Sequence, residues 1–254
     1  MLFKKEILSL LACTAGALGA HIRNRDATSV FLLAGDSTTA KQTDGGGGWG
    51  EGFKNFTISS PSFAVNYGHN GATTSSFISG GDWETVLSEA SRHSSSKTVY
   101  VTIQHQFGHN DQKLSNFVET YKSNLRRMIS DVKANDAIPI IVTSISRRKY
   151  RSNGTINDNL ETWAGYAISV ANEGETMYID LWKNSVKYLE KIGETAARKL
   201  DLKSGDATHL NGNGSIVFGR MVMDLLCEKS AAIRAVAKQD EKLSGNIEAG
   251  TPSF

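Results

Sequence analysis

The chain has 254 residues, enough for one continuous core and too few to require two domains. Its 28 Lys and Arg against 26 Asp and Glu leave a formal net charge of +2, without the basic excess that nucleic-acid binders concentrate on one face. His69, His93 and His105 show no ligand spacing with one another or with Cys227, so no metal is expected.

Lys4 and Lys5 precede an apolar run from Ile7 to Leu18, and small residues (Ala17 to Ala20) come before His21. This is the layout of a secretory signal peptide: a charged start, an apolar middle and an A-x-A-like cleavage site. The run is short of the roughly 20 residues a membrane span needs, and no later segment is suited to crossing a bilayer. The expectation is therefore a signal peptide at 1–20, a domain at 21–230 and a polar extension at 231–254, a helix end fraying into a tail. Loss of Cys13 leaves Cys227 as a buried, inert thiol with no disulfide partner. In a eukaryotic host the sequons at Asn55 and Asn153 can carry glycans, whereas Asn213 lies too near the candidate site to be modified.

The first strand, Val30–Ala34, runs directly into Gly35-Asp36-Ser37-Thr38. A serine there, followed by a helix start, would place its hydroxyl where backbone N–H groups favour developing negative charge. Taken alone, Asp-Ser-Thr is also ordinary helix-capping chemistry. The Gly45–Gly48 run lacks the Gly-Lys-Ser/Thr ending of a phosphate loop and reads as a flexible loop. The second strand, Phe63–Tyr67, is followed by Asn70-Gly71-Ala72, and Asp82–Ala90 has a weak helical pattern. The third strand, Thr98–Ile103, leads to Gly108-His109-Asn110-Asp111. Glycines admit close backbone approach and asparagine supplies two amide donors, so both segments suit an oxyanion hole as well as ordinary turns.

Phe117–Val132 repeats apolar residues at the spacing of one helix face. The fourth strand, Ile138–Thr143, precedes the only dense basic run, Arg147 to Arg151, which is either a solvated loop or a contact for substrate carboxylates. Leu160–Ala171, Ser185–Leu200 and Gly214–Leu226 read as helices around a fifth strand, Met177–Asp180. Strands alternating with helices imply crossovers, hence a largely parallel sheet covered on both faces, with ligands beyond the carboxyl ends of the strands. Before the last helix stands Asp206-Ala207-Thr208-His209. A serine hydroxyl needs a base to accept its proton, and an imidazole base needs its other nitrogen held by an acceptor. An Asp three residues before the His can supply that from the same loop.

Gly-Asp-Ser, a loop Gly, Gly-His-Asn-Asp and Asp-x-x-His, in that order and each after its strand, resemble the block pattern of SGNH (GDSL-type) hydrolases. Phe31–Thr38, Gly45–Glu51, Phe107–Lys113 and Tyr178–Trp182 narrow the likeness to rhamnogalacturonan acetylesterases. The chain departs from them in lacking their disulfide cysteines, in Gln104-His105-Gln106, and in Asn211–Gly214 after the histidine. The resemblance implies a three-layer α/β/α sandwich with a five-stranded, parallel, flavodoxin-like sheet. It makes Ser37 the nucleophile, His209 the base and Asp206 its partner, with the N–H groups of Ser37 and Gly71 and the Asn110 amide as oxyanion hole. Arg147 and Arg148 would contact substrate. The expected protein is a secreted monomeric acetylesterase acting on an acetylated polysaccharide without a cofactor, and without nucleic-acid or membrane partners. A broad-specificity lipase or arylesterase, and a carbohydrate-binding relative that has lost turnover, are the alternatives.

Overall fold

The structure is a computed structural model that describes residues 28–44, 46–104 and 107–254. The expected signal segment with Cys13, together with Gly45, His105 and Gln106, lies outside the described residues.

Strand β1 (Ser29–Ala34) has every side chain buried, as a continuous aliphatic run must when both faces of a sheet are covered. Its side chains alternate between two cores. Phe31 and Leu33 point into one, and Val30, Leu32 and Ala34 point into the other. The chain continues through β2 (Lys41–Thr43), β3 (Gly46–Gly47), α1 (Gly50–Phe56) and β4 (Phe63–Asn66). Next come α2 (Thr74–Ser79), α3 (Asp82–Ser94), β5 (Thr98–Gln104), α4 (Gly108–Asp111) and α5 (Val118–Ala134). Then follow β6 (Ile138–Val142), α6 (Glu161–Glu173), β7 (Met177–Ile179), α7 (Leu181–Ala197) and a 3-10 turn at Arg198–Leu200. The chain closes with β8 (Leu210–Asn211), α8 (Gly212–Lys229), α9 (Ala231–Val236) and α10 (Glu241–Ala249).

The five-stranded sheet has the order β4-β1-β5-β6-β7, and all its pairs are parallel. Residues from α1, α7, α8 and α9 fill the core on one face, and residues from α2, α3, α5 and α6 fill the other. This is the expected three-layer sandwich with flavodoxin-like order. That order reverses between β1 and β5, so the loops after β1, β4 and β5 converge at one carboxyl edge.

Three local expectations do not hold. Gly46–Gly47 is not loop: it forms a small sheet in the order β2-β3-β8. A Cβ on Gly46 would stand 2.1 Å from the Leu210 carbonyl oxygen, so only glycine lets these backbones pair. No α-helix begins after Ser37 either. The residue sits in a single turn in which Thr39 and Ala40 both donate to the Asp36 carbonyl, and α1 starts only at Gly50. The C-terminal segment is not a frayed tail, because Ser230 and Asp240 cap two short helices and Ile233 is fully buried against α8. Cys227 is half-buried on α8, and burial pushes its thiol up. Among the described residues no helix is long and apolar enough to cross a membrane.

Helix α1 meets α8 backbone to backbone. A Cβ on Gly52 would lie 1.9 Å from the Ser215 carbonyl oxygen, while the Gly52 N–H donates to Ser215 Oγ at 2.9 Å. Gly52→Ala should therefore destabilise the fold by about 1–3 kcal/mol or more through overpacking. Gly165→Ala, in the middle of α6 with nothing within 4 Å of the new Cβ, should stabilise it by about 0.5–1 kcal/mol. Urea midpoints of the two variants check the pair, and equal shifts of one sign would refute the packing account.

Candidate active site

Ser37 follows β1 on the turn held by Asp36, and His209 precedes β8. The structure brings Ser37 Oγ to 3.0 Å from His209 Nε2 across 172 residues of sequence. His209 Nδ1 lies 3.0 Å from Asp206 Oδ2. The other Asp206 oxygen accepts from the backbone N–H groups of Thr208 and His209, at 3.1 and 3.0 Å. Burial pushes the Asp206 carboxyl up, but the bonds from His209 and Thr208 outweigh it and hold the group below the ordinary carboxylate value. A charged acceptor beside Nδ1 keeps that nitrogen protonated and leaves Nε2 free to accept from the serine.

Gly71, after β4, has φ of 77°, a left-handed conformation suited to glycine. Among the described residues, neither its N–H nor that of Ser37 is taken by a protein acceptor. Asn110 lies on α4, after β5. Its Nδ2 donates to the Ala72 carbonyl at 2.9 Å and to Asp36 Oδ2 at 3.2 Å, and its Oδ1 accepts from Lys113 Nζ at 2.9 Å. Both amide hydrogens already have acceptors, so serving a new oxyanion means sharing the longer bond to Asp36. Asp111 fixes the Gly71 and Asn110 loops together, since it accepts from the Thr74 N–H and hydroxyl at the start of α2. His109 is buried beside Asn110.

These groups open onto a cleft of about 420 Å³ that Gln42, Asn70, Lys113 and Arg147 also line. Arg147 and Arg148 are adjacent in sequence but separate in space. Arg147 is half-buried in the cleft wall. Arg148 is fully buried and paired to Asp201, with Nε 2.6 Å from Oδ1. Its expected contact with substrate does not hold, because the Asp201 carboxylate draws its guanidinium under the Asp206–His209 loop. The Tyr178–Trp182 motif sets the neighbouring loop. Asp180 accepts from the Thr143 hydroxyl, and Trp182 Nε1 donates to Asp158, which in turn accepts from the Arg147 N–H. The sequence reading does not single out Gln42 or Lys113 as cleft residues. Lys113, one helical turn beyond Asn110, carried a signal in that spacing, whereas Gln42 arrives only through β2. Among the described residues no group of three His, Cys, Asp or Glu is placed to hold a metal ion.

A parallel α/β sheet with a Ser–His–Asp relay at its carboxyl edge has the architecture of a serine hydrolase. The GDSL-like lipase/acylhydrolase family model matches residues 33–215, and the chain belongs to that family. It is a serine hydrolase acting on ester bonds. Over 210 residues it is 26% identical to the rhamnogalacturonan acetylesterase RhgT of Bacillus subtilis (strain 168), covering 76% of this chain and 87% of that one. The probable rhamnogalacturonan acetylesterase YesY of the same strain is also 26% identical, over 206 residues, with 76% and 89% covered. Among solved structures, a Bacillus subtilis protein, YxiM, superposes with a TM-score of 0.70 at 24% identity. That match covers 80% of this chain, which spans only 57% of the other. An acetylxylan esterase from Geobacillus stearothermophilus gives a TM-score of 0.55 at 14% identity, covering 81% and 96%. Both structures share the fold.

Two buried carboxyls at the site make stability depend on pH. Burial raises Asp36 to about 7 and Asp111 to about 6, against the bonds from Thr38 and Thr74 that lower them. Between the unfolded value of 3.8 and these folded values, the native state holds protons that the unfolded chain has released. Their contribution to stability is thus full at the acid end and declines as pH rises to about 7. Denaturation midpoints of Asp36→Asn, measured across this range, should show a shallower decline than those of the parent. An unchanged slope would remove Asp36 as its source.

Proposed function

We propose that this protein is an exported, monomeric acetylesterase that deacetylates an acidic polysaccharide, rhamnogalacturonan or a close relative. The observation that carries the reading is the Ser37–His209–Asp206 relay opening onto a cleft flanked by Lys113 and Arg147. Ser37 Oγ attacks the acetyl carbonyl carbon while His209 Nε2 takes its proton. The carbonyl oxygen, now negative, is met by the N–H groups of Ser37 and Gly71 and by the Asn110 amide. Lys113, bonded to Asn110 Oδ1, polarises that amide and strengthens it as a donor. Collapse expels the sugar oxygen, which takes the proton back from His209. Water, deprotonated by the same imidazole, then attacks the acetyl–serine carbonyl, and collapse releases acetate as Ser37 Oγ takes the proton back from His209.

The cleft lining and the substrates the relatives are named for both bear on the substrate class. Among the described residues no apolar side chain lines the cleft, which suits a short acyl group on a polar carrier rather than a long hydrocarbon chain. Two cations flanking the nucleophile suit a sugar polymer carrying carboxylates, and arginine can grip a carboxylate through two parallel bonds. Export rests on the charged and apolar pattern of residues 4–20.

Ser37→Ala should fold normally and lose on the order of 10⁶ in turnover, the loss typical of a missing nucleophile. Retention of a tenth of the activity on p-nitrophenyl acetate would remove Ser37 from the mechanism. For the substrate, acetate release is compared on acetylated rhamnogalacturonan, acetylated xylan and p-nitrophenyl acetate across a salt series. The KM for the acidic polymer should rise from low to physiological ionic strength, while the small neutral ester responds little. Arg147→Gln should weaken this salt response on the polymer alone. A polymer KM indifferent to both salt and the substitution would reject the acidic substrate.

A further inference from the structure

Arg148 is a fully buried cation beside the relay, and the relay does not use it. Its side chain is fully buried, as is nearly all of the Asp201 side chain it pairs with. Its Nη2 donates to the carbonyl of Asp206 at 3.2 Å and to that of His209 at 2.5 Å. Its backbone N–H donates to the carbonyl between them, that of Ala207, at 2.8 Å. One residue therefore takes up the inner carbonyls of the turn that carries both members of the acid–base pair. The turn is otherwise tied by the Leu202 N–H to the His209 carbonyl, by the N–H groups of Asp206 and Ala207 to the carbonyls of Lys203 and Gly205, and by the Asp206 carboxylate folding back on its own backbone.

We infer that Arg148 is a positioning residue: its guanidinium clamps both ends of the Asp206–His209 turn and so sets where the imidazole meets Ser37. The physical case rests on fork geometry. A planar guanidinium offers donors in fixed directions, so pairing Nε with Asp201 fixes where Nη2 points. Two carbonyls on one nitrogen are thereby held at one separation, and the imidazole between Ser37 and Asp206 inherits that constraint. Arg148 is itself held, because the preceding Ser146 donates its N–H to Ser185 on α7 and its hydroxyl to Asp158. The turn is thus referred to the loop after β6 and to α7, in addition to the pairing of β8 with β3 and of Leu210 with Asp201. A lysine at 148 would keep the charge opposite Asp201 but offers a single nitrogen, with no second one held in a fixed direction toward the two carbonyls.

The inference rests on the proposed role of His209, and the two fail separately. If His209→Ala keeps its activity, the mechanism is wrong; the tests of Arg148 concern only how His209 is placed. Arg148→Met and Arg148→Lys are assayed on p-nitrophenyl acetate, which carries no carboxylate, with melting temperature and circular dichroism recorded alongside. Misplacing a catalytic group by about 1 Å can cost 10²-fold, so the Met variant should lose roughly 10² and the Lys variant about 10-fold in kcat, with KM changed by less than about twofold. In a His209→Ala background the Met substitution should leave the residual rate as it is, because nothing remains to be positioned. A folded Arg148→Lys with parental kcat would make the residue purely structural and overturn the inference. So would a Met substitution that lowers the residual rate of His209→Ala by the same factor as it lowers the parent. Should Arg148→Met fail to fold, the kcat and KM of Arg148→Lys decide the matter by the same criterion.

Discussion

The close approach of three backbones at Gly46–Gly48 is the constraint on which the site depends. A Cβ on Gly46 would reach the Leu210 carbonyl, one on Gly47 the Ala40 carbonyl, and one on Gly48 the Thr38 carbonyl carbon at 2.0 Å. This glycine ribbon therefore lies directly between the turn carrying Ser37 and the loop carrying His209. Hydrogen bonds close the seam, with Gly48 donating to the Ala40 carbonyl and Trp49 to that of Thr38. Ser215 Oγ bonds the Gly48 carbonyl from α8 and locks the ribbon to the helix that follows the histidine. A 3.0 Å contact between side chains so distant in sequence persists because their supporting backbones have nowhere else to go.

Charge is handled differently on the two sides of the nucleophile. On the histidine side, Asp206 is kept anionic by bonds from its own loop, and Arg148 is neutralised by Asp201. On the side of Asn110, Asp36 and Asp111 are buried among hydroxyl and amide donors, and their carboxyls are pushed toward neutrality. Two full negative charges there would oppose the charge that develops on the substrate oxygen. Raising the cost of ionising them eases that conflict without giving up the bonds that orient Asn110 and α2.

The sequence shows the main sheet well because its strands are short runs rich in β-branched and aromatic residues, bounded by turn residues. Each of the five expected strands matches an observed one to within a residue or two. The small sheet is invisible for the opposite reason. Its strands are two or three residues long, and in β3 the signal is the absence of side chains, which also marks a loop. Motif order makes Ser37, Gly71, Asn110, Asp206 and His209 legible as a group. Arg147 and Arg148 cannot be told apart by such means, since neighbours in a loop can face opposite ways and Asp201, the residue that decides, lies 53 positions later. The C-terminal helices are likewise hidden, because they are short and bury little: Ile233 and Ala237 are buried, and Val236, Leu243 and Ile247 pack only in part.

The strand order has a consequence in time. The serine turn belongs to the first strand of the sheet and the histidine loop to the last pairing, 172 residues later. At roughly 5–20 residues per second, a ribosome takes on the order of 10–30 s to make what lies between them. The growing chain thus exposes a serine that has no base, and cannot hydrolyse an ester, until its C-terminal quarter has folded back past the glycine ribbon. The contact that would make the hydroxyl reactive cannot form before His209 has been synthesised.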